Sequence, residues 1–213
     1  GKSTLFGVIA GLIEPDAGTL SRGFAGDGPI PCVMQQIGPF FGDTPWEEMM
    51  FALEGRGVHA DDIPALAEEA LVSTGLYPLR HRPIETLSGG RRQLVSVAAC
   101  LTVGAPLVLF DEATSMLDGR SRRLVLETAF RLHREGASVL WATHRPEETA
   151  PDGRIVVLRS GEILFDGSAE SFFYGEDGHG RSPCESFGFA PPFAVRTARA
   201  LLRRGWRPDP LPL

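Results

Sequence analysis

The sequence predicts an α/β domain whose core is a mainly parallel sheet. Residues 107–110 form a continuously apolar run, which is typical of a strand buried on both faces of a parallel sheet. Short apolar segments of this kind alternate along the chain with segments of helical periodicity. The 213 residues, 43% of them hydrophobic and 23% charged, are enough for one large globular domain. This composition excludes a disordered or collagen-like chain.

Helical periodicity predicts helices along the whole chain. They cover residues 2–12, 46–53, 63–74, 90–103, 120–134 and 194–204. The third helix places apolar residues on one face: Ile63, Leu66, Ala67, Ala70 and Leu71. We therefore expect a mainly helical insert between residues 40 and 95.

The predicted strands are short. They cover residues 31–35, 107–110, 137–142 and 155–158. A turn-forming pair, Ser160 and Gly161, follows the last strand and predicts a hairpin. The glycine-rich stretch between residues 18 and 31 has room for one further short strand.

The charge of the chain divides it into two parts. The net charge is −6, and this acidic excess argues against a protein whose main role is binding nucleic acid. Residues 181–213 carry six arginines against two acids, a local balance of +4 that leaves the preceding body at −10. We therefore predict one domain over residues 1–175, followed by a linker and basic extension over residues 176–213.

The helix expected at residues 194–204 has a short apolar face and four arginines spread over its other faces, Arg196, Arg199, Arg203 and Arg204. Such a helix has two uses. It can dock on an acidic body, its own or a neighbour's, or it can meet anionic lipid headgroups. The short apolar face and the Pro-Pro sequence before the helix favour docking.

Cysteine usage and hydropathy bear on the compartment. Cys32, Cys100 and Cys184 are widely spaced, which favours neither a disulfide framework nor a metal site and indicates a reducing compartment. No stretch is long and apolar enough to cross a bilayer. The N-terminus has neither the features of a signal peptide nor an initiator Met, so we expect the chain to be part of a longer one.

Lys2 is the only lysine among the 21 basic residues, and it lies in the sequence Gly1-Lys2-Ser3-Thr4 before a predicted helix. A compact ammonium at a helix N-terminus is typical of a phosphate-binding loop. Lys2 would reach the β- and γ-phosphates of a nucleotide, and Ser3 would bind Mg²⁺. The alternative is an ordinary helix start with Ser3 or Thr4 near the cap.

Two acidic residues, Asp111 and Glu112, end the apolar run at residues 107–110. The carboxyl end of a buried strand is where open α/β sheets bind ligands. Asp111 would hold Mg²⁺, directly or through water, and Glu112 would polarise the water that attacks the γ-phosphate. The alternative is a strand that ends in two solvated acids.

A turn of Ser88, Gly89 and Gly90 comes before the predicted helix at residues 90–103. Its glycines allow a close approach of phosphate to the backbone, although the same residues also suit an ordinary tight turn. The pattern Leu-Ser-Gly-Gly-x-x-Gln that starts at Leu87 resembles the signature of ATP-binding cassette (ABC) ATPases. The chain resembles this family from Gly1 to about Tyr174, which implies a P-loop NTPase fold with a helical, signature-bearing subdomain.

The resemblance assigns roles to further residues. Gln35 matches the glutamine of the Q-loop, which touches Mg²⁺ and the attacking water and whose loop meets the membrane partner. Asp118 matches the D-loop, which passes between paired cassettes. His144 matches the switch histidine, which would contact the γ-phosphate and orient Glu112.

The resemblance also implies a function and partners. It implies a peripheral ATPase subunit on the cytoplasmic face of the cell membrane, coupled through its Q-loop region to transmembrane subunits. Two cassettes, identical or related, would hold ATP and Mg²⁺ between the phosphate-binding loop of one and residues 88–90 of the other. Nucleic acid is not an expected partner.

Three segments are similar to energy-coupling factor ATPases, which drive the uptake of vitamins or of cobalt and nickel ions. They are residues 111–118, residues 45–48, and residues 188–193 together with the basic helix that follows. The first half of the P-loop, the strand before it and an upstream aromatic residue for adenine do not occur in the sequence. The segment between Gly18 and Gln35 is shorter than is usual in the family, so a reduced antiparallel sheet is expected.

Two functions other than transport are alternatives for such a cassette. A soluble ABC protein of translation or DNA repair is disfavoured, because about 52 residues without sustained heptads separate Gln35 from Ser88. A truncated cassette that binds a partner without turnover is the remaining alternative. ATPase activity distinguishes it from a transport ATPase.

Overall fold

The computed structural model describes residues 1–26, 30–35, 37–102, 104–206 and 210–212. Most of the chain falls into two compact units, Lys2–Ala142 and Thr143–Leu213, and each is described by itself. The division lies inside the predicted domain 1–175, whose boundary at residue 175 stays a prediction.

The sheet of the first unit is parallel throughout. Its strands are β1 (Cys32–Val33), β2 (Leu107–Asp111) and β3 (Ser138–Ala142), with β2 in the centre. Every residue of β2 is buried, as its continuously apolar sequence predicts. The predicted α/β class is therefore confirmed.

The helices of the first unit agree with the predicted ones to within two residues at each end. They are α1 (Lys2–Ala10), α2 (Pro45–Glu54), α3 (Ile63–Ser73), α4 (Gly89–Leu101) and α5 (Gly119–Arg134). The predicted end of the fourth helix at residue 103 lies outside the described residues.

Apolar side chains cover both faces of the sheet. On one face, Phe6 of α1 belongs to a cluster with Leu107 and Leu109. On the other face, Val108 and Phe110 belong to the large core that includes α4 and α5. Because neighbouring strand residues point to opposite faces, this alternation fixes α1 on the same face as Asp111, two residues after Leu109.

The predicted helical insert is present. Helices α2, α3 and α4 pack on one another, and Leu53, Leu71 and Val95 between them are fully buried. Burying these three side chains stabilises the insert by roughly 2 kcal/mol each. The packed insert therefore supports the turn at the start of α4.

The further strand for which residues 18–31 have room is not formed in the described part of that stretch. Residues 23–25 form a short 3₁₀ turn instead. Gly23 and Gly26 adopt backbone φ angles of 49° and 65°, so the chain turns where a strand would extend. Residues 27–29 lie outside the described residues.

The second unit contains the predicted hairpin. Strands β4 (Arg154–Arg159) and β5 (Glu162–Ser168) pair in antiparallel fashion. Ser160 and Gly161 connect them with φ angles of 53° and 86°, as a tight hairpin turn requires. Three helices follow: α6 (Ala169–Tyr174), α7 (Pro183–Ser186) and α8 (Phe193–Leu202).

The basic helix α8 docks within its own unit. Val195 is fully buried in a cluster with Phe172, Phe173 and Cys184. The expectation that Arg199 lies outside the buried face of the helix is wrong, because Arg199 is only 7% exposed and its guanidinium binds Glu185. The acids brought by the preceding loop make this burial possible, and they are not visible in the periodicity of the helix.

None of the helices in the described ranges combines the length and the apolar character that a membrane span requires.

Candidate functional site

The first part of the site is the N-terminus of α1. The helix begins at Lys2, and buried Phe6 anchors it to the sheet. Ser3 and Thr4 are exposed in its first turn. The first backbone N–H groups of a helix have no partner within it and carry partial positive charge, so this end is suited to an anion such as phosphate.

Asp111 is the second part of the site. It ends β2, is 1% exposed, and neither of its carboxylate oxygens has a hydrogen-bond partner among the residues that the structure describes. A buried carboxylate in this condition is costly unless a cation or a donor compensates it. Two oxygen donors without partners fit Mg²⁺, which prefers carboxylate and water oxygens.

The pKa of the Cys32 thiol is affected by the charge of Asp111. It lies on β1, on the same sheet face as Leu109 and Asp111. Burial, and then the negative charge of Asp111, raise the pKa of Cys32 to about 11. Asp111 therefore contributes negative charge at this face of the sheet.

Glu112 is the third part, and its backbone is strained. Its φ angle is 49°, in the left-handed region that costs a residue with a side chain about 1–2 kcal/mol. Its N–H group donates a hydrogen bond of 2.9 Å to the carbonyl of Ala142 and so holds the turn to β3. Strain of this kind is typical of functional positions.

The strained turn places Glu112 beside Lys2. Lys2 Nζ lies 3.6 Å from Glu112 Oε1, and the two side chains are 40% and 16% exposed. The structure thus brings together Lys2, Asp111 and Glu112, whose roles the sequence predicts. One edge of the sheet therefore holds the N-terminus of α1, the carboxylate of Asp111 and the pair of Lys2 and Glu112.

The turn of Ser88, Gly89 and Gly90, here called the signature turn, begins α4. Ser88 caps the helix, because its Oγ accepts a hydrogen bond from the N–H of Arg91. A Cβ added to Gly90 would lie 3.3 Å from the carbonyl oxygen of Met116, whereas one added to Gly89 would meet nothing within 4 Å. Packing within the chain therefore explains Gly90 but not Gly89.

Asp118 caps the next helix. Its Oδ1 accepts hydrogen bonds from the N–H groups of Arg120 and Ser121, at 2.9 and 2.8 Å. These bonds, that of Ser121 first, lower the pKa of Asp118. Its carboxylate is therefore ionised and fixed in direction, as a residue in a D-loop would need.

Gln35 is exposed and follows β1. It lines a cavity of about 1020 Å³, here called the Q-loop groove, whose wall includes Phe40, Asp43, Glu85, Arg92 and Met116. The groove thus lies between the segment after β1 and the residues around the signature turn.

Two acids hold residues 41–44, a segment that includes two lining residues of the groove. Glu48 Oε2 accepts hydrogen bonds of 2.8 and 2.9 Å from the N–H groups of Phe41 and Gly42. Glu47 forms a capping box with Thr44 at the start of α2. The loop is therefore held in place while the side chain of Phe41 is 81% exposed.

His144 belongs to the second compact unit, and its predicted approach to Glu112 stays a prediction. The residues around it are braced. Thr143 Oγ1 donates a 2.7 Å hydrogen bond to buried Glu148 and accepts one of 3.0 Å from the N–H of Arg145.

Two contacts were not expected from the sequence. Glu148 carries no motif signal, and Gln93, although part of the signature pattern, has no predicted role. Gln93 Nε2 donates a 3.2 Å hydrogen bond to the carbonyl of Met34, which is 59 positions away. Neither periodicity nor spacing reports a contact over such a distance.

A parallel sheet flanked by helices, with a lysine at a helix N-terminus beside acids at the end of the central strand, is the arrangement of a P-loop nucleotide-binding protein. Residues 1–115 match the sequence profile of the family described as ABC transporter. The chain belongs to the ABC transporter family, and the predicted resemblance is confirmed.

Curated relatives that match most of the chain are named as ATP-binding proteins of energy-coupling factor transporters. The energy-coupling factor transporter ATP-binding protein EcfA1 of Halalkalibacterium halodurans is 34% identical over 96% of this chain and 76% of its own length. EcfA1 of Geobacillus kaustophilus is 33% identical with the same coverage. EcfA of Methanosarcina acetivorans is 33% identical over 96% of this chain and 77% of its own length.

A solved structure supports the fold. It is described as an inward-facing conformation of a metal-chelate type ABC transporter, and it matches with a TM-score of 0.67 and 24% identity. The match covers 81% of this chain and 70% of that one.

Proposed function

We propose that this chain is the ATP-binding and ATP-hydrolysing subunit of an energy-coupling factor transporter, and that it powers the uptake of a vitamin or a metal ion. The observation that carries the proposal is the grouping of Lys2, Glu112 and unpartnered Asp111 at one edge of the sheet. The names of relatives that match 96% of the chain support the subfamily. Its place would be the cytoplasmic face of the membrane, as a peripheral subunit.

Nucleotide binding is assigned to Gly1, Lys2, Ser3 and Thr4. The N–H groups of the first turn of α1 would hold phosphate oxygens, and Lys2 would neutralise the β- and γ-phosphates. Lys2 is paired with Glu112 in the structure, so phosphates compete with this carboxylate for the ammonium. Nucleotide binding would thereby release Glu112 to interact with water.

Asp111 is the main residue proposed to hold Mg²⁺, together with Ser3 and Gln35. The two unpartnered oxygens of Asp111 support this assignment. When bound, Mg²⁺ neutralises charge on the phosphate oxygens and orients them. Asp111 lies at the end of a fully buried strand, so the position of its carboxylate is fixed.

Hydrolysis is assigned to Glu112, with Gln35 and His144 as partners. Glu112 would accept a hydrogen bond from the attacking water and take its proton. The side chain of Glu112 is 16% exposed beside Lys2, so it is partly accessible to water. His144 would contact the γ-phosphate, and the hydrogen bonds of Thr143 and Glu148 keep its loop in shape.

A second cassette, identical or related, would complete the site. Ser88, Gly89 and Gly90 would face the γ-phosphate bound by the partner, and Asp118 would lie at the dimer interface. The open space around Gly89 supports this arrangement, because a phosphate can approach the backbone there and a side chain would obstruct it.

The Q-loop groove is the proposed docking site of a transmembrane subunit. Its volume of about 1020 Å³ is close to that of two turns of an α-helix, which is about 10 Å wide and about 11 Å long. Phe41, exposed on a loop that Glu48 holds in place, offers an apolar anchor at this segment.

ATPase activity of the natural full-length chain tests the proposal. Glu112→Gln keeps the shape of the side chain but removes the base, so hydrolysis should fall by about 10²-fold or more while ATP binding persists. Glu127→Gln, which changes an exposed acid on α5, serves as the matched control and should leave the rate unchanged. An unaffected Glu112→Gln rate would contradict the role of Glu112. A wild-type chain without turnover would favour the non-catalytic interaction module.

A further inference from the structure

Gln93 is a buried amide that joins two motifs. It lies in α4 about one turn after Gly89, and it is 2% exposed. Its Nε2 donates a 3.2 Å hydrogen bond to the carbonyl of Met34. This bond connects the helix of the signature turn to the residue immediately before Gln35.

The Met34 carbonyl lies where the sheet stops. Strand β1 ends at Val33, which lies opposite Phe110 in the last pair of the β1–β2 ladder. Beyond that pair the hydrogen bond from Gln93 holds the chain. The direction in which the backbone leaves the sheet, and with it the position of Gln35, therefore depends on this amide.

The other end of the connection is rigid. Leu94, Val95 and Val97, which follow Gln93 in α4, are buried in the core. A helix packed in this way moves as one body, so a displacement of the signature turn carries Gln93 with it. Arg92, next to Gln93, lines the Q-loop groove together with Gln35.

The amide uses only part of its hydrogen-bonding capacity. Gln93 Oε1 is buried and has no hydrogen-bond partner within the described part of the chain. Buried side-chain acceptors are normally satisfied, and an amide that serves only to fill the core is usually bonded at both ends. The bond to the Met34 carbonyl is therefore the side-chain hydrogen bond that this amide makes within the described part of the chain.

We infer that Gln93 is a positioning residue that couples the Q-loop to the signature turn. Through it, a partner that occupies the groove and shifts the segment after β1 changes the position of α4, and the reverse also holds. The inference rests on the proposed function, because it assigns Gln93 an effect that is exerted through Gln35. If Gln93 only filled the core, its substitution would lower the stability of the fold but would not change the kcat of the folded protein.

The test uses the natural full-length chain assembled with its transmembrane partner. Gln93→Met keeps the length of the side chain and removes the donor. Thr74→Val is the matched control, because Thr74 is also 2% exposed but donates its hydroxyl to the carbonyls of Ala70 and Leu71 in the helix that it follows. Gln93→Glu, of nearly the same shape, is the second variant if Gln93→Met does not fold.

The readout is the kcat and the KM of ATP hydrolysis, with and without Gln35→Ala. We expect Gln93→Met to lower kcat on the order of tenfold with little change in KM, because a misplaced group costs rate and not nucleotide affinity. In the Gln35→Ala background its effect should be less than about twofold, and Thr74→Val should change neither constant.

Two results would overturn the inference. The first is a Gln93→Met effect on kcat that is absent in the wild-type background or equally large with Gln35→Ala, which would make Gln93 a core residue only. The second is a Gln35→Ala chain with the wild-type kcat. That result also overturns the proposed role of Gln35. It is recognised from the Gln35→Ala variant by itself, without any change at Gln93.

Discussion

Two buried side chains of this chain, one acidic and one basic, differ in their hydrogen bonding. Asp111 in the first unit is 1% exposed, and its oxygens have no hydrogen-bond partner among the described residues. Arg199 in the second unit is 7% exposed and binds Glu185, Ser182 and the carbonyl of Gly180. A buried charge that its own chain satisfies contributes to the fold, whereas one left unsatisfied is suited to a ligand.

The contrast extends to the surroundings of each charge. Asp111 ends the central strand and cannot move without disturbing the sheet, so its cost to stability persists until a cation binds. Arg199 lies on α8, and α7 and the loop before it bring two acids to it: Glu185 on α7, and Glu176 in the loop, 3.9 Å from Arg199. The pKa of Glu185 is lowered, mainly by its hydrogen bond with Arg199.

Asp111→Asn should give the largest effect on activity. The substitution keeps the shape but removes the charge that would hold Mg²⁺, which is worth several kcal/mol in transition-state stabilisation. Hydrolysis by the full-length chain should fall by about 10³-fold. Steady-state ATPase assays measure this, with Asp152→Asn, an exposed acid of the second unit, as control. A rate within about tenfold of wild type would show that Asp111 is not the cation ligand.

Arg199→Met should give the largest effect on stability. It leaves Glu185 and the Gly180 carbonyl without their donor, and breaking such a partly buried pair costs about 2–4 kcal/mol. Arg196→Met, an exposed arginine on the same helix, is the matched control and should cost less than about 0.5 kcal/mol. Denaturant unfolding compares the two. Equal losses would mean that Arg199 contributes packing and not its hydrogen bonds.

Acid should weaken the second unit through Asp177. Hydrogen bonds from the backbone N–H groups of Arg181 and His179 lower the pKa of Asp177 to about 2, from an ordinary value of 3.8. Since the folded state has the lower pKa, this stabilisation is present above about pH 4 and is lost as the pH falls toward 2. Thermal melting between pH 5 and pH 2.5 measures the loss. Asp177→Asn should show a shallower decline, and an unchanged decline would contradict the assignment.

Gly89→Ala should have the smallest effect on stability and still affect activity. Its added Cβ meets nothing within 4 Å, while that of Gly90→Ala would have to displace the Met116 carbonyl at 3.3 Å. Ala at Gly89 should therefore leave the melting temperature unchanged, apart from a small gain in helix propensity. Hydrolysis should nevertheless fall, because the methyl group obstructs the partner's phosphate. Normal hydrolysis by Gly89→Ala would contradict the proposed role of the signature turn in trans.

The parts of the fold that the sequence predicted are those with local signals. Strand β2 is visible as an uninterrupted apolar run, and α1 to α5 and α8 follow from periodicity to within two residues of the structure, whereas the short helices α6 and α7 were not predicted. The grouping of Lys2 with Glu112 was predictable because a helix start and a strand end that hold phosphate must meet at one sheet edge. Their separation of 3.6 Å and the strained φ of Glu112 were not, because both depend on tertiary packing.

The parts that the sequence missed depend on distant residues. Arg199 looks like a surface arginine until the loop before α7 brings acids to it. The bond between Gln93 and Met34 spans 59 positions and carries no periodic signal. The turn at residues 23–26 was not predicted because glycines permit both strand and turn, and the observed φ angles of Gly23 and Gly26 select the turn.

The most direct test of the contrast between the two charges is the unfolding free energy of the full-length chain with and without Mg²⁺ and ATP, for wild type and Asp111→Asn. If Asp111 is an uncompensated buried charge that a cation satisfies, Asp111→Asn should be more stable than wild type by about 1–2 kcal/mol without ligand. With Mg²⁺ and ATP in excess the order should reverse, because only the wild type gains binding energy from the cation. A variant that is less stable without ligand, or that gains as much as the wild type from Mg²⁺ and ATP, would contradict the account.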